Sequence, residues 1–333
     1  MNKAALKRMT RRTEFYMFLV LIVLIALVGI VSKGSLFEPT QVVTILRAMV
    51  VDGMFALGCL VVMISGGFDM SFPAIAAMAY SLATTICFNN GWCQTSPIAA
   101  FVLSVIFGAI LGMLNGWIIA NFKLNTMLVT LGTQTFFTGL SMGLLQLKEI
   151  TSTLPQALKD FGKAYLFEVT DSAGLKSTMT TMFLFYIALI IITSFILNKT
   201  MFGRALYAIG GNEVSAERAG YNVKRTKFIL YTAVGAVAGF TGMIRVCMAS
   251  QSIPKAMVNK EFTIIPAVIL GGASIFGGEG SVFGTVTAVG IITLVANSML
   301  LVGIDTYWKD FFNGIIILVG VTLSAVQAMR KQH

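Results

Sequence analysis

The organisation of this chain follows from one polar stretch, MFGRALYAIGGNEVSAERAGYNVKRTKF, at residues 201–228, which apolar runs of membrane-spanning length flank on both sides. Within it, Asn212 is a favourable N-cap, Glu213 suits the positive start of a helix and Arg218 suits its negative end. Gly220 suits the left-handed conformation that closes a helix. We therefore predict a capped helix of about two turns, ~10 Å long.

The predicted helix indicates a function, because a loop that only joins two spans does not need one. We expect Gly210 and Gly211 to let the chain turn sharply into the helix. We interpret the helix as a docking element for a cytoplasmic partner, carried by a coupling loop at residues 199–227.

The composition indicates an all-α, polytopic membrane protein that forms one transmembrane domain over residues 1–333. Of its residues, 56% are hydrophobic and 11% are charged, and the mean hydropathy is +0.85. Soluble domains carry about 25% charged residues. The net charge of +10 is explained by the enrichment of Lys and Arg in cytoplasmic loops, so we do not expect nucleic acid as a partner.

Apolar runs near 20 residues predict about ten spans in the lipid bilayer. No small-residue cleavage site follows the first run, so we interpret it as a span and not as a signal peptide. The shorter runs are expected to be tilted, broken or re-entrant. The predicted spans are 15–31, 41–64, 73–88, 98–120, 126–147, 180–198, 228–249, 262–276, 281–302 and 309–328.

Basic residues predict the orientation of these spans. The tails at residues 3–12 and 330–333 and the loop 199–227 hold the densest basic clusters, and an even number of spans places all three in the cytoplasm. The loop 148–179 is then extracytoplasmic. We predict a short interfacial helix from Leu158 to Phe167, and the loop is either a contact for a delivery protein or a solvated connector.

Two glycine-rich segments, 64–71 and 270–284, interrupt the predicted spans. Non-helical backbone at membrane depth survives only where protein or a water-filled cavity satisfies its polar groups. The second segment lacks the Gly-Lys-Ser/Thr ending of a phosphate-binding loop, so we exclude that function.

Several motifs together resemble ribose-type ABC sugar permeases, in the order that this family has them and over roughly residues 40–325. They are GRALYAIGGN (203–212) followed by Ala216 and Gly220, SGGFD (65–69), Asn115-Gly116, TLGT (130–133), AVILGG (267–272) and FGG (276–278).

The resemblance implies the membrane subunit of a bacterial inner-membrane importer that takes a monosaccharide from an extracytoplasmic sugar-binding protein. A cytoplasmic ABC ATPase would bind ATP and Mg²⁺, and a second permease copy or a related permease would complete the path. The residues that the resemblance assigns to ATPase coupling are Gly203, Arg204, Tyr207, Gly210, Gly211, Asn212, Glu213, Ala216, Arg218 and Gly220.

Some positions depart from the family pattern and leave the substrate open. This chain has DMSFP at residues 69–73, where the family usually has Asp-Leu-Ser-Val-Gly. It also has Asp52-Gly53, where the family often has Asn. A nucleoside or a furanose-like signalling molecule is therefore an alternative to a sugar.

The predicted substrate path contains polar residues with more than one interpretation. Asp52 either binds a substrate hydroxyl or pairs with Arg47. Asp69 either lines the path or caps the third span, and Asn115 either lines the path or bonds between helices. The full predicted set is Asp52, Gly66, Gly67, Asp69, Asn115, Thr133, Gly271 and Gly272.

The sequence carries no catalytic constellation, no ATP-binding motif and no good relay for proton coupling, and its one histidine is His333. We therefore expect the energy to come from a partner, and a secondary carrier or channel is the alternative. The four cysteines have no metal-site spacing. Cys87 and Cys93 are either a disulfide or two free thiols.

Overall fold

The computed structural model describes residues 13–144 and 149–301, together with residues 305, 308, 311, 314, 315, 318 and 322. The basic amino-terminal tail, Lys148 and the carboxyl-terminal tail with His333 lie outside the described residues. The tenth predicted span, 309–328, is described at isolated positions only.

The described part of the chain is mostly helical. A 3₁₀ turn at Ser35–Phe37 precedes the second helix, and a π turn at Leu140–Leu144 extends the fifth. The helices are α1 (Thr13–Val31), α2 (Pro39–Ile64), α3 (Phe72–Asn89), α4 (Ile98–Phe122), α5 (Thr126–Gly139), α6 (Gln156–Lys163), α7 (Met182–Lys199), α8 (Met201–Gly211), α9 (Glu213–Arg218), α10 (Val223–Ala249), α11 (Glu261–Leu270) and α12 (Val282–Leu301).

The protein is a helical membrane protein. Six described helices, α2, α3, α4, α7, α10 and α12, are long and apolar enough to cross a bilayer, and α11 and most of α1 are shorter apolar helices. The predicted span 262–276 ends early, because helix α11 stops at Leu270, before Gly271 and Gly272. The total of ten spans and the orientation stay predictions.

Helices α4 and α10 form the most extensive helix pair in the described structure, and glycines bring their backbones into contact. Gly108 and Gly112 of α4 face Gly235 and Gly239 of α10, so closely that a β-carbon at any of the four would collide with the opposite backbone. Ser104 donates a hydrogen bond from Oγ to the carbonyl of Gly239 at 2.7 Å. Small residues at four-residue spacing are typical of close helix packing in membranes.

The segment after α6 corrects the all-α prediction and the predicted helix from Leu158 to Phe167. Helix α6 ends at Lys163, and strands β1 (Tyr165–Thr170) and β2 (Lys176–Thr180) form an antiparallel hairpin. Aromatic and β-branched residues in β1 favour a strand. The turn is closed by Asp171, whose Oδ1 accepts from the N–H groups of residues 173 and 175 at 2.9 and 2.8 Å.

The two ends of α2 define two ends of the molecule. Near its start, Thr40 donates from Oγ1 to Oδ2 of Asp171 in the hairpin turn, at 3.4 Å. Its last residue, Ile64, accepts a hydrogen bond from the N–H of Gly278 at 2.9 Å, beside α8. We call these the hairpin end and the α9 end.

Candidate functional site

Helix α9 is the capped helix that the sequence predicts. The side chain of Asn212 accepts a hydrogen bond from the N–H of Ser215 at 2.8 Å. After Arg218, Gly220 takes a φ of 89°, and the N–H of Tyr221 donates to the carbonyl of Ala216 at 3.1 Å. The cap and the left-handed glycine are both local interactions, which explains why the sequence reveals them.

The predicted turn at Gly210 and Gly211 is wrong, because both residues belong to helix α8. Thr200 caps this helix by accepting from the N–H of Gly203 at 3.1 Å. Three apolar residues of α8, Ala205, Leu206 and Ile209, are buried. The apolar face anchors α8 against the protein, so the coupling loop consists of two consecutive helices.

Gly210 is needed for close packing and not for a turn. A β-carbon there would collide with the carbonyl of Ile64 and with the N–H of Gly278. Gly66 and Gly277 lie in the same contact, where a β-carbon on Gly277 would come within 2.5 Å of Gly66. We call Ile64, Gly66, Gly210, Gly277 and Gly278 the glycine joint.

The glycine joint connects the coupling loop to both glycine-rich breaks. The first break follows α2 and the second lies between α11 and α12, so the two interrupted regions of the chain meet at the end of α8. Tyr207, one turn earlier on α8, donates from its hydroxyl to the carbonyl of Gly280 at 3.0 Å. Helix α8 therefore contacts both breaks directly.

The free surface of α9 is mixed in character. Val214 is 58% exposed, and Glu217 and Arg218 are exposed beside it. Glu213 forms a salt bridge with Lys227 of α10 at 2.6 Å. Arg204 lies on α8 with an exposed side chain, and its Nη2 contacts the sulfur of Met201 at 2.6 Å.

Asp52 lines a cavity, and its partner is Lys260 and not Arg47. The ammonium of Lys260 contacts Oδ1 at 2.7 Å and Oδ2 at 3.0 Å. Arg47, Arg245, Asp52 and Lys260 all line a cavity of about 560 Å³ in the hairpin half of the molecule. We call it the charged cavity.

Other predicted path residues lie in the packed first break or, in the case of Asn115 on α4, against it. A β-carbon on Gly67 would come within 2.6 Å of the hydroxyl of Tyr231. Asp69 is buried and accepts from the N–H and the hydroxyl of Ser71, both at 2.7 Å, just before α3 begins. Asn115 is fully buried and donates from Nδ2 to Oγ of Ser71 at 2.7 Å. These bonds stabilise the break and the start of α3.

The remaining path residues are separate from the charged cavity. Thr133 lies on α5 and donates to the carbonyl of Thr130 at 3.3 Å. Gly271 packs against the start of α12, where a β-carbon would come within 2.7 Å of the Thr285 backbone. Gly272 has a φ of 92°. The structure thus does not gather the predicted path residues into one site.

Sequence reasoning missed two features of the site. Lys260 follows a polar turn and was not recognised as the partner of Asp52, although a carboxylate inside a span calls for a cation. The glycines at four-residue spacing in α4 were also visible in the sequence as a packing signal.

The structure shows Cys87 and Cys93 as two free thiols, the second of the two predicted alternatives. The sulfur atoms of Cys87 and Cys93 are 2.9 Å apart, and both residues are free and buried. In the described ranges, no group of three His, Cys, Asp or Glu side chains has the arrangement of a metal site.

Comparison with known proteins places the chain in a family. Residues 41–321 match the family described as "Branched-chain amino acid transport system / permease component". The chain belongs to this permease family. The relatives found by sequence comparison include ribose import permeases, the kind of protein that the motifs resemble. The comparison therefore confirms the resemblance.

Three relatives illustrate the similarity. The ribose import permease protein RbsC of Bacillus subtilis is 33% identical over 87% of this chain and 86% of its own length. RbsC of Escherichia coli K12 is 27% identical over 86% of each chain. The xylose transport system permease protein XylH of Haemophilus influenzae is 26% identical over 88% of this chain and 90% of its own. No solved structure matches the chain.

Proposed function

We propose that this permease is the membrane-spanning subunit of an ATP-driven importer that carries a monosaccharide delivered by an extracytoplasmic binding protein. Membership of the permease family over residues 41–321 carries the proposal. The ribose and xylose permeases, whose similarity covers most of the chain, support a monosaccharide as the substrate. The protein lies in the bacterial inner membrane with both termini and the α9 end in the cytoplasm.

The exposed face of α9 is the docking surface for the ATPase, which binds ATP and Mg²⁺. Val214 supplies an apolar contact, and Glu217 and Arg218 supply charges of both signs. A short helix with a side-chain cap keeps its shape when pushed, so it suits the transfer of force. A second permease copy or a related permease completes the translocation path.

The glycine joint provides the mechanism of coupling. Closure of two ATPase subunits moves α9, and α8 carries that movement to Ile64 and Gly278, where backbone meets backbone. Because no flexible side chain lies between these atoms, the displacement reaches both breaks with little loss. The path then changes from outward-facing to inward-facing.

A purification experiment tests the docking surface. Tagged permease is purified from its native membrane in mild detergent, and the proteins recovered with it are identified by mass spectrometry. We expect an ABC ATPase with the wild type and a loss of most of it with Val214→Glu, because a buried unpaired charge weakens an interface.

Leu175→Glu is the matched control, because Leu175 is 67% exposed in the hairpin at the opposite end. It should retain the ATPase in full. Uptake driven by an ion gradient in liposomes that contain the permease alone would contradict the proposal and favour a secondary carrier.

Arg204→Ala and Glu213→Ala should separate ATP hydrolysis from transport, and wild-type uptake in both would remove the coupling role of these residues.

A further inference from the structure

The charged cavity lies about halfway along α2. Asp52 is near the middle of α2, twelve residues before Ile64, which corresponds to about 18 Å along the helix axis. The hydrocarbon core of a bilayer is about 30 Å thick. Ionisable side chains at such depth are costly and mark substrate or ion pathways.

Four separate parts of the chain line the cavity, which is a feature of a binding site. Arg47 and Asp52 come from α2, Arg245 from α10, Lys260 from the segment before α11, and Thr293 from α12. The cavity volume of about 560 Å³ falls in the range of about 300–1,000 Å³ of small-molecule sites. A monosaccharide fits such a volume.

The segment before α11 is non-helical at this depth. Residues 250–260 form turns between α10 and the short helix α11, which begins at Glu261. Broken helices at mid-membrane commonly carry the substrate sites of transporters.

The charges in the cavity do not balance. Three cations, Arg47, Arg245 and Lys260, line it with one carboxylate, Asp52. Lys260 already forms the salt bridge with Asp52 at 2.7 Å. The neighbouring Glu261 is buried, and its Oε1 accepts a hydrogen bond from Gln134 on α5. Its Oε2 has no hydrogen-bond partner among the described atoms, and it forms no salt bridge with a cation of the cavity among the described residues.

Two guanidinium groups thus remain for a ligand. Among the described residues, no carboxylate forms a salt bridge with Arg47 or Arg245. Nη1 of Arg245 is enclosed by protein and has no hydrogen-bond partner among the described atoms. Leaving a charged donor unsatisfied in this way is costly, which indicates that a group outside these residues completes it.

We propose that the cargo is an anionic monosaccharide whose acidic group binds between Arg47 and Arg245. Guanidinium groups match the planar geometry of carboxylates and the oxygens of phosphates by paired hydrogen bonds. Asp52 and the threonine hydroxyls then face the sugar hydroxyls. This inference rests on the proposed function and narrows its substrate class to sugars that carry an acidic group. The sugars in the names of the relatives, ribose and xylose, have no such group.

The test uses the complete transporter, purified with the partners it retains and reconstituted in liposomes. Two matched pairs of probes, galacturonate with galactose and ribose 5-phosphate with ribose, separate a carboxylate from a phosphate and each from its neutral counterpart. We expect ATP-dependent uptake of one acidic probe to exceed that of its neutral counterpart by at least about tenfold. One charge-assisted hydrogen bond contributes enough binding free energy for a difference of that size.

Single variants then assign the effect to the cavity. Arg47→Gln and Arg245→Gln should each lower kcat/KM for the acidic probe by about tenfold or more, with Lys at either position restoring part of it. Lys255→Gln is the matched control, because Lys255 is an exposed cation in the same segment that does not line the cavity. Recovery of the ATPase with each variant reports that the permease is folded.

Each remaining outcome is decisive. A transporter that contains the ATPase and takes up a neutral probe but neither acidic probe overturns this inference and leaves the proposed function standing. Equal losses for acidic and neutral probes in the Arg variants assign the guanidiniums a packing role and also overturn it. A preparation without an ATPase that shows no ATP-dependent uptake removes the proposed function, and the inference with it.

Discussion

The glycine joint and the charged cavity lie at opposite ends of α11 and are built in opposite ways. At the joint, glycine backbones touch and leave no space for a β-carbon. In the cavity, long charged side chains surround about 560 Å³. Helix α11 starts at Lys260 and Glu261 beside the cavity and leads into the break that contains Gly277.

This contrast fits the two roles that we propose, the transfer of movement at the joint and the accommodation of cargo in the cavity. Close-packed interiors have low compressibility and transmit strain, which suits a joint between the coupling helices and the breaks. A cavity lined by long side chains adapts to a ligand but transmits movement poorly. Helix α11, about 15 Å long at 1.5 Å per residue, connects the two regions.

The largest expected effect comes from adding one methyl group to the joint. Gly210→Ala should destabilise the permease by about 1–3 kcal/mol, because the β-carbon meets backbone on two sides. The matched control is Gly211→Ala, where a β-carbon meets nothing within 4 Å, and its effect should stay within about 1 kcal/mol. Thermal unfolding of both variants in detergent measures the difference, and equal midpoints would contradict the close packing of the joint.

A smaller effect is expected from the ion pair in the cavity. Asp52→Asn leaves Lys260 without its partner. Removing one member of a buried pair costs about 3–5 kcal/mol, but the two side chains are 27% and 34% exposed, so screening reduces the expected loss to about 1–2 kcal/mol.

The double variant Asp52→Asn with Lys260→Gln sharpens this result, because it removes both charges. It should be more stable than Asp52→Asn alone, and a double-mutant cycle on unfolding midpoints gives the coupling. Strict additivity of the two single variants would show that the pair does not contribute to stability.

The smallest effect is expected at the hairpin. Glu168 and Lys176 form a salt bridge at 2.6 Å on the surface, and the hydrogen bond from Lys176 to Glu168 raises the pKa of that lysine. Because the pKa of this lysine is higher in the folded than in the unfolded protein, the pair stabilises the fold at pH values below the unfolded-state pKa. This contribution is lost as the pH rises through the folded-state pKa. Any pH dependence from this pair is therefore confined to the alkaline range.

The corresponding variant is Lys176→Ala, which should leave the unfolding midpoint at neutral pH unchanged, since exposed pairs contribute little. The comparison with Asp52 and Lys260 is direct, because both pairs join a lysine to a carboxylate at similar distance. A larger loss at the hairpin than in the cavity would reverse the expected order.

Much of the fold could be predicted because membrane helices are local features. Six of the predicted spans correspond to described helices long enough to cross a bilayer, while the predicted spans 126–147 and 262–276 contain shorter helices. Glycines mark where two of the helices stop. The hairpin was missed because residues 165–167 were assigned to a helix, although β1 and β2 pair residues only 6 to 15 positions apart. Strand preference depends strongly on the packing around the strand, so composition alone did not decide between the two. Gly210 was misassigned because a glycine in a turn and a glycine at a close contact look identical in sequence.

The features of the candidate site also divide into local ones, which the sequence predicts, and long-range ones, which it does not. The cap of α9 joins Asn212 to Ser215, three residues apart, so the sequence alone determined it. The partner of Asp52 is Lys260, which is separated from it by 208 residues, and only packing decides which of several cations lies nearest.

The sequence by itself determined the helical membrane architecture, the breaks and the capped coupling helix, because hydrophobicity, glycine and caps act over a few residues. Tertiary structure alone decided that both breaks meet at Gly210 and that two guanidiniums share one cavity, because those contacts join parts of the chain that no local rule relates.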